Sequence, residues 1–133
     1  MNNESHKIAY LNLIQDVIKR TANKSLALKI LAITASFLHH IPTGHTRHEG
    51  YIGLLAIILW SLDAYYQKQE KLLWKLYDNI ACTDLNHLIY SLDTKPYESR
   101  NIFGNFTMLI NCAMKLENIS LYMFILFSDL IPA

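Results

Sequence analysis

Leu26-Ala27-Leu28-Lys29-Ile30-Leu31-Ala32-Ile33-Thr34-Ala35-Ser36-Phe37-Leu38-His39-His40-Ile41 and Tyr51-Ile52-Gly53-Leu54-Leu55-Ala56-Ile57-Ile58-Leu59-Trp60-Ser61-Leu62-Asp63-Ala64-Tyr65-Tyr66 are two apolar runs. Each carries one charged residue, Lys29 in the first and Asp63 in the second. Between them, Pro42-Thr43-Gly44-His45-Thr46-Arg47-His48-Glu49-Gly50 is polar throughout and rich in turn-forming residues. Two apolar helices joined by a short polar loop is the pattern of a chain that crosses a bilayer and returns. A hydrocarbon core of about 30 Å takes about 20 helical residues and at least about 17. Both runs reach that lower bound only when flanking residues such as Ser25 and Pro42, or Gly50 and Gln67, are added. Lys29 lies near the start of its run, where its long stem lets the ammonium reach the headgroups. Asp63 lies near the end of its run, at the same end of the hairpin. The expectation is a transmembrane hairpin; a buried hairpin in a soluble protein is the other reading of the same runs.

The flanking charges give the hairpin a direction. Lys19, Arg20 and Lys24 precede the first run, and Lys68, Lys71 and Lys75 follow the second, while the loop sets only Arg47 against Glu49. The positive-inside rule then places both outer ends, the N-terminus included, in the cytoplasm and residues 42–50 in the periplasm of a bacterial inner membrane. Composition fits a chain that is part membrane, part cytosol. The 133 residues are 52% hydrophobic and 17% charged, yet the mean hydropathy is only +0.14. A net charge of +1 offers no concentrated basic face for nucleic acid. Four glycines and three prolines favour long helices over a turn-rich β protein. Met1–Ile8 is polar, so no cleavable signal peptide is visible.

Around the hairpin, periodicity predicts more helix. Ile8, Leu11, Ile14 and Ile18 recur at three- and four-residue steps, giving an amphipathic helix over Glu4–Lys24 with Ser5 as a plausible N-cap. It either packs on its neighbours or anchors at an interface, and it can run directly into the first apolar run. The second run continues through Gln67 to Ala81, with Leu62, Tyr66, Leu73, Leu76 and Ile80 approximating one stripe. That stripe needs a partner surface, supplied by the N-terminal helix or by another subunit. Asp84 is a candidate cap for a short helix through Leu92, and Lys95-Pro96-Tyr97 ends it. Asn105–Ala133 is apolar again, with Ser120, Ser128 and Asp129 interrupting its last run. That run either makes a third crossing or lies against the first two helices. The organisation is therefore all-α: an amphipathic helix and membrane hairpin over residues 1–82, then a C-terminal helical region over 83–133.

Residues Tyr10-Leu11-Asn12-Leu13-Ile14-Gln15-Asp16-Val17-Ile18-Lys19-Arg20 and Leu62-Asp63-Ala64-Tyr65-Tyr66-Gln67-Lys68-Gln69-Glu70, extended by Lys75-Leu76-Tyr77-Asp78, resemble a family of small bacterial membrane proteins. The resemblance covers about Tyr10–Asp78. It implies a helix before a transmembrane hairpin, often with a further apolar segment at the end. It implies no catalytic residues. This chain departs from the pattern in its histidine-bearing loop and its polar-interrupted C-terminal segment.

Candidate site residues are few. His39, His40, His45 and His48 lie close together, and imidazole is a common metal ligand and a pH switch. Their spacing matches no established metal site, so four polar residues at a membrane surface are the plainer reading. Asp63 either serves an ion or proton pathway, pairs with Lys29 across the hairpin, or caps local polar groups. Trp60, Tyr65, Tyr66 and Trp74 bracket the inner end of the second helix, as an aromatic belt or as core. Cys82 and Cys112 are thirty residues apart with no CxxC and are expected as free thiols. There is no glycine-rich phosphate loop, nucleophile elbow or paired-carboxylate arrangement, so neither enzyme activity nor a cofactor is expected. The leading expectation is a non-enzymatic, self-associating protein partnered by the lipid bilayer. By analogy of architecture alone, such a protein serves as a membrane-perturbing effector in phage defence. The alternative is a soluble all-α interaction module whose apolar helices form a core or partner interface.

Overall fold

The computed structural model describes residues 3–40, 51–83, 91–98 and 101–130, the side chains of residues 3, 39, 40, 52 and 128–130 excepted. All four long elements among them are helices: α1 (Asn3–His40), α2 (Tyr51–Cys82), α3 (Ile102–Ala113) and α4 (Leu116–Leu130). A single 3-10 turn occupies Lys95–Tyr97, and no strand occurs among the described residues. The chain is all-α.

The amphipathic segment and the first apolar run are one helix. Nothing between Lys19 and Leu28 breaks it: there is no proline or glycine, and Ala22, Lys24, Leu26 and Ala27 are strong helix formers. With 38 residues, α1 is about 57 Å long, and α2 with 32 is about 48 Å. Ser5 lies inside α1 rather than capping it, since the helix already includes Asn3. The two long helices pack against each other, α3 and α4 pack on α2, and α4 also touches α1.

One end of the α1–α2 pair has an apolar core of Ile14, Ile18, Leu73, Leu76 and Ile80, flanked by Tyr10, Leu11, Val17, Tyr77 and Tyr97. The α2 stripe thus finds its partner surface in α1 of the same chain. Polar clasps finish this end. The Lys7 ammonium donates to the carbonyls of Ala81 (3.0 Å) and Thr83 (2.9 Å), so a cation sits at the C-terminus of α2, where the helix dipole favours it. The segment 91–98 is tied to both helices. Tyr10 Oη donates to Ser91 O (2.6 Å), Asn79 Nδ2 to Tyr97 Oη (2.7 Å), and Lys68 pairs with Glu98 at 3.6 Å. Ser91 and Leu92 are not helical; Asp93 Oδ1 accepts from Lys95 N (3.0 Å) and leads into the proline-containing turn. Asp84, the expected cap of a helix there, lies outside the described residues.

The other end is built by the second half of α1, the first half of α2, and α3–α4. Its core holds Ala32, Ala56, Leu59, Tyr122 and Ile125. Ala64 is fully buried too, and such small residues let helices approach closely. The α3–α4 corner falls at Met114-Lys115. Asn118 Nδ2 donates to Cys112 O (3.0 Å), one of the carbonyls that the end of α3 leaves without a helical partner. Among the described residues no single helix is long and apolar enough to cross a membrane. The pair Ile102–Ala113 and Leu116–Phe127 meets that length and composition only jointly, with a 69° bend between them.

Candidate functional site

The chemistry concentrates where the two ends of the bundle meet. On α1, the stripe Ile14, Ile18, Thr21, Ser25, Lys29, Ala32 recurs at three- and four-residue steps, so the face that is apolar at Ile14 is polar by Ser25. On α2, Asp63 and Gln67 are one turn apart on the face that meets it. Asp63 is completely buried. The Ser25 hydroxyl donates to its Oδ1, and the Gln67 amide donates to Oδ2 at 3.3 Å. The Lys29 ammonium stands 3.9 Å from Oδ2, its side chain 21% exposed. A buried carboxylate survives only with this kind of company, because an unpaired charge in an apolar setting is costly.

α4 closes the junction. Tyr122 is buried and stacks on Trp60, ring centroids 6.1 Å apart and planes at 22°. Trp60 Nε1 donates to Ala113 O (3.1 Å), tying α2 to the end of α3. Three buried atoms have no hydrogen-bond partner among the described residues: Gln67 Oε1, Tyr122 Oη and Asn118 Oδ1. Each such atom costs roughly 1–3 kcal/mol if nothing satisfies it. Two of the three, Gln67 Oε1 and Tyr122 Oη, belong to residues on the two helices that meet at this junction.

Lys29 and Asp63 are brought together by the two long helices. Tyr66 is half-buried beneath the Lys24 ammonium (5.6 Å to the ring centroid) and meets Tyr65 edge-on at 5.7 Å. Trp60 turns inward onto Tyr122, whereas Tyr65 and Trp74 remain exposed, Trp74 edge-on to Tyr77. His39 and His40 end α1, their side chains undescribed, and His45 and His48 lie outside the described residues. Among the described residues no three His, Cys, Asp or Glu side chains converge on a metal position. Cys82 is exposed and Cys112 buried, both as free thiols.

Sequence reasoning finds Lys29 and Asp63 but misses Ser25, Gln67, Asn118 and Tyr122. Ser25 and Gln67 stand one helical turn from Lys29 and Asp63 respectively, a spacing that marks them as neighbours. Asn118 and Tyr122 come from a distant helix, and nothing local announces their arrival.

Comparison with family models, curated proteins and solved structures gives no match.

Proposed function

We propose that this protein is a non-enzymatic, self-associating protein of the bacterial inner membrane whose apolar end sits in the bilayer. In this reading residues 42–50 lie on the periplasmic side, the N-terminus lies in the cytoplasm, and the protein perturbs the membrane as an effector. The observation that carries it is the outer surface of one end of the bundle. Leu26, Ile30, Leu31, Phe37 and Leu38 of α1, Leu54, Ile57 and Ile58 of α2, and Phe124 and Phe127 of α4 are all exposed. Isolated exposed apolar residues are ordinary, but a contiguous surface of this kind marks contact with lipid or protein. Buried alanines at the helix contacts, Ala32, Ala56 and Ala64, with large apolar groups on the outer surface fit helices packed in lipid.

One specific observation favours a second reading. No described helix passes the crossing criterion alone, and the apolar stretch of α1 from Leu26 to Leu38 rises only about 20 Å against a core of about 30 Å. A soluble all-α module that docks this surface on a partner protein has the same face. Carbonate extraction of membranes from expressing cells separates the two readings. Retention in the washed pellet, together with depolarisation of the cells on expression, is the result expected for the bilayer reading. Release into the supernatant would overturn it in favour of the docking module.

A further inference from the structure

We propose that the junction around Asp63 is a binding site for a small monovalent cation of sodium's size, exchanging with the Lys29 ammonium. The reading does not depend on whether the apolar end meets lipid or protein.

The donor set is all oxygen: Asp63 Oδ2, Gln67 Oε1, the Tyr122 hydroxyl and the Ser25 hydroxyl. Hard alkali cations take such donors, and transition metals prefer imidazole or thiolate. Each of these oxygens has unused capacity. Ser25 commits its proton to Asp63 Oδ1 and keeps its lone pairs. Gln67 Nε2 faces Asp63 Oδ2, because turning the amide would set two acceptors against each other. Its Oε1 is therefore held beside the carboxylate and has no partner among the described residues. Tyr122 Oη is likewise buried without a partner among the described residues, and its ring stacks on Trp60, one turn before Asp63 on α2.

The resident counter-ion is loosely held. Direct charge-assisted N–H···O bonds are about 2.7–2.9 Å long, whereas Lys29 stands 3.9 Å away and retains a partly exposed side chain. Lys29 thus has a route outward, along which its long stem can follow the apolar surface. One carboxylate balances one positive charge, so a monovalent ion replaces the ammonium at constant charge. A divalent ion would leave one charge unbalanced, and among the described residues no three His, Cys, Asp or Glu side chains gather to hold one. A buried water satisfies some of the same atoms, and the experiment must separate it from a cation.

The test uses the full-length protein in detergent with Trp74→Phe, leaving Trp60 as the sole tryptophan and a reporter stacked on Tyr122. Sodium chloride is titrated against choline chloride at constant ionic strength and pH. A saturable, sodium-specific change in Trp60 fluorescence is expected, absent in Asp63→Asn and about tenfold weaker in Tyr122→Phe, the loss of about 1.4 kcal/mol of binding. Lys29→Met removes the competing ammonium and should tighten sodium binding about tenfold by the same conversion. If Asp63→Asn does not fold, Tyr122→Phe and Lys29→Met carry the test. Equal responses to sodium and choline, or weaker binding in Lys29→Met, would overturn the site. So would no response at all, which leaves water as the occupant, or a response to pH alone, which assigns the junction to a proton.

Discussion

Ile14, Ile18, Leu73, Leu76 and Ile80 turn inward, and the surface around them is mixed: Asp16, Lys19, Arg20, Lys75 and Asp78 face outward beside Ile8, Leu13 and Trp74. Around Ala32, Ala56, Leu59, Tyr122 and Ile125, where α4 joins the two helices, an apolar core also forms, but polar groups are buried and large apolar ones exposed: Phe37 is 70% and Phe124 73% exposed, while Asp63 and Asn118 are completely buried. The difference teaches that a continuous helix can serve two surroundings if the chemistry of each face changes along its length. In α1 the change falls between Ile18 and Ser25, about two turns. Lys19, Arg20, Lys24 and Lys68 are clustered around that level, with Tyr66 beneath Lys24. Cations and aromatic rings together are what an apolar-to-aqueous boundary selects.

The sharpest way to break the comparison is to truncate one apolar side chain in each half. Ile14→Ala removes a fully buried group and should cost about 2–5 kcal/mol. Phe124→Ala removes an exposed one and should change stability in detergent by no more than about 0.5 kcal/mol. Urea unfolding in detergent reads both, and equal losses would mean that the two halves obey one rule. Next in size is Ala64→Leu. Ala64 has no exposed surface, so the added bulk must part the helices, and a loss of about 1–3 kcal/mol is expected in the thermal midpoint. A neutral result would show room at that level.

The smallest effect probes the half around Ile14. Burial holds the Tyr10 phenol above its ordinary pKa of 10.0, because the folded state disfavours the charged phenolate. Its contribution to stability is complete below about pH 10 and is lost as pH rises through its higher folded value. Tyr10→Phe should cost about 1 kcal/mol at neutral pH through the lost bond to Ser91. The gap to the wild type should then narrow in urea melts carried into alkali; a gap independent of pH would contradict this.

Much of the helical layout is legible in the sequence, because periodicity and the absence of breakers act locally. The run from Asn3 to His40 without glycine or proline reads directly as helix, as does the extension of α2 past Gln67. Lys29 and Asp63 are also legible, since two antiparallel helices put the same end of each run together. Tyr122 and Asn118 are not. Their role depends on the α3–α4 corner at Met114-Lys115, which folds α4 back onto α2. That is a tertiary consequence which no spacing within α4 encodes. Lys68 lies off the apolar stripe of α2 in the sequence, yet it is buried because segment 91–98 supplies Glu98, and Gln67 beside it is buried against Asp63.

In the proposed reading the two ends of one bundle face different surroundings, which single-cysteine labelling in native membranes distinguishes. In a background with Cys82 and Cys112 replaced by serine, cysteines are placed at Phe37 and Phe124 in one half and at Asp16 and Asp78 in the other, all four exposed on the bundle. Membranes opened to reagent on both faces are treated with a membrane-impermeant maleimide before and after detergent. The account predicts labelling at positions 16 and 78 without detergent, and at 37 and 124 only after it. Equal labelling of all four in intact membranes, or recovery of the protein outside the membrane, would contradict it.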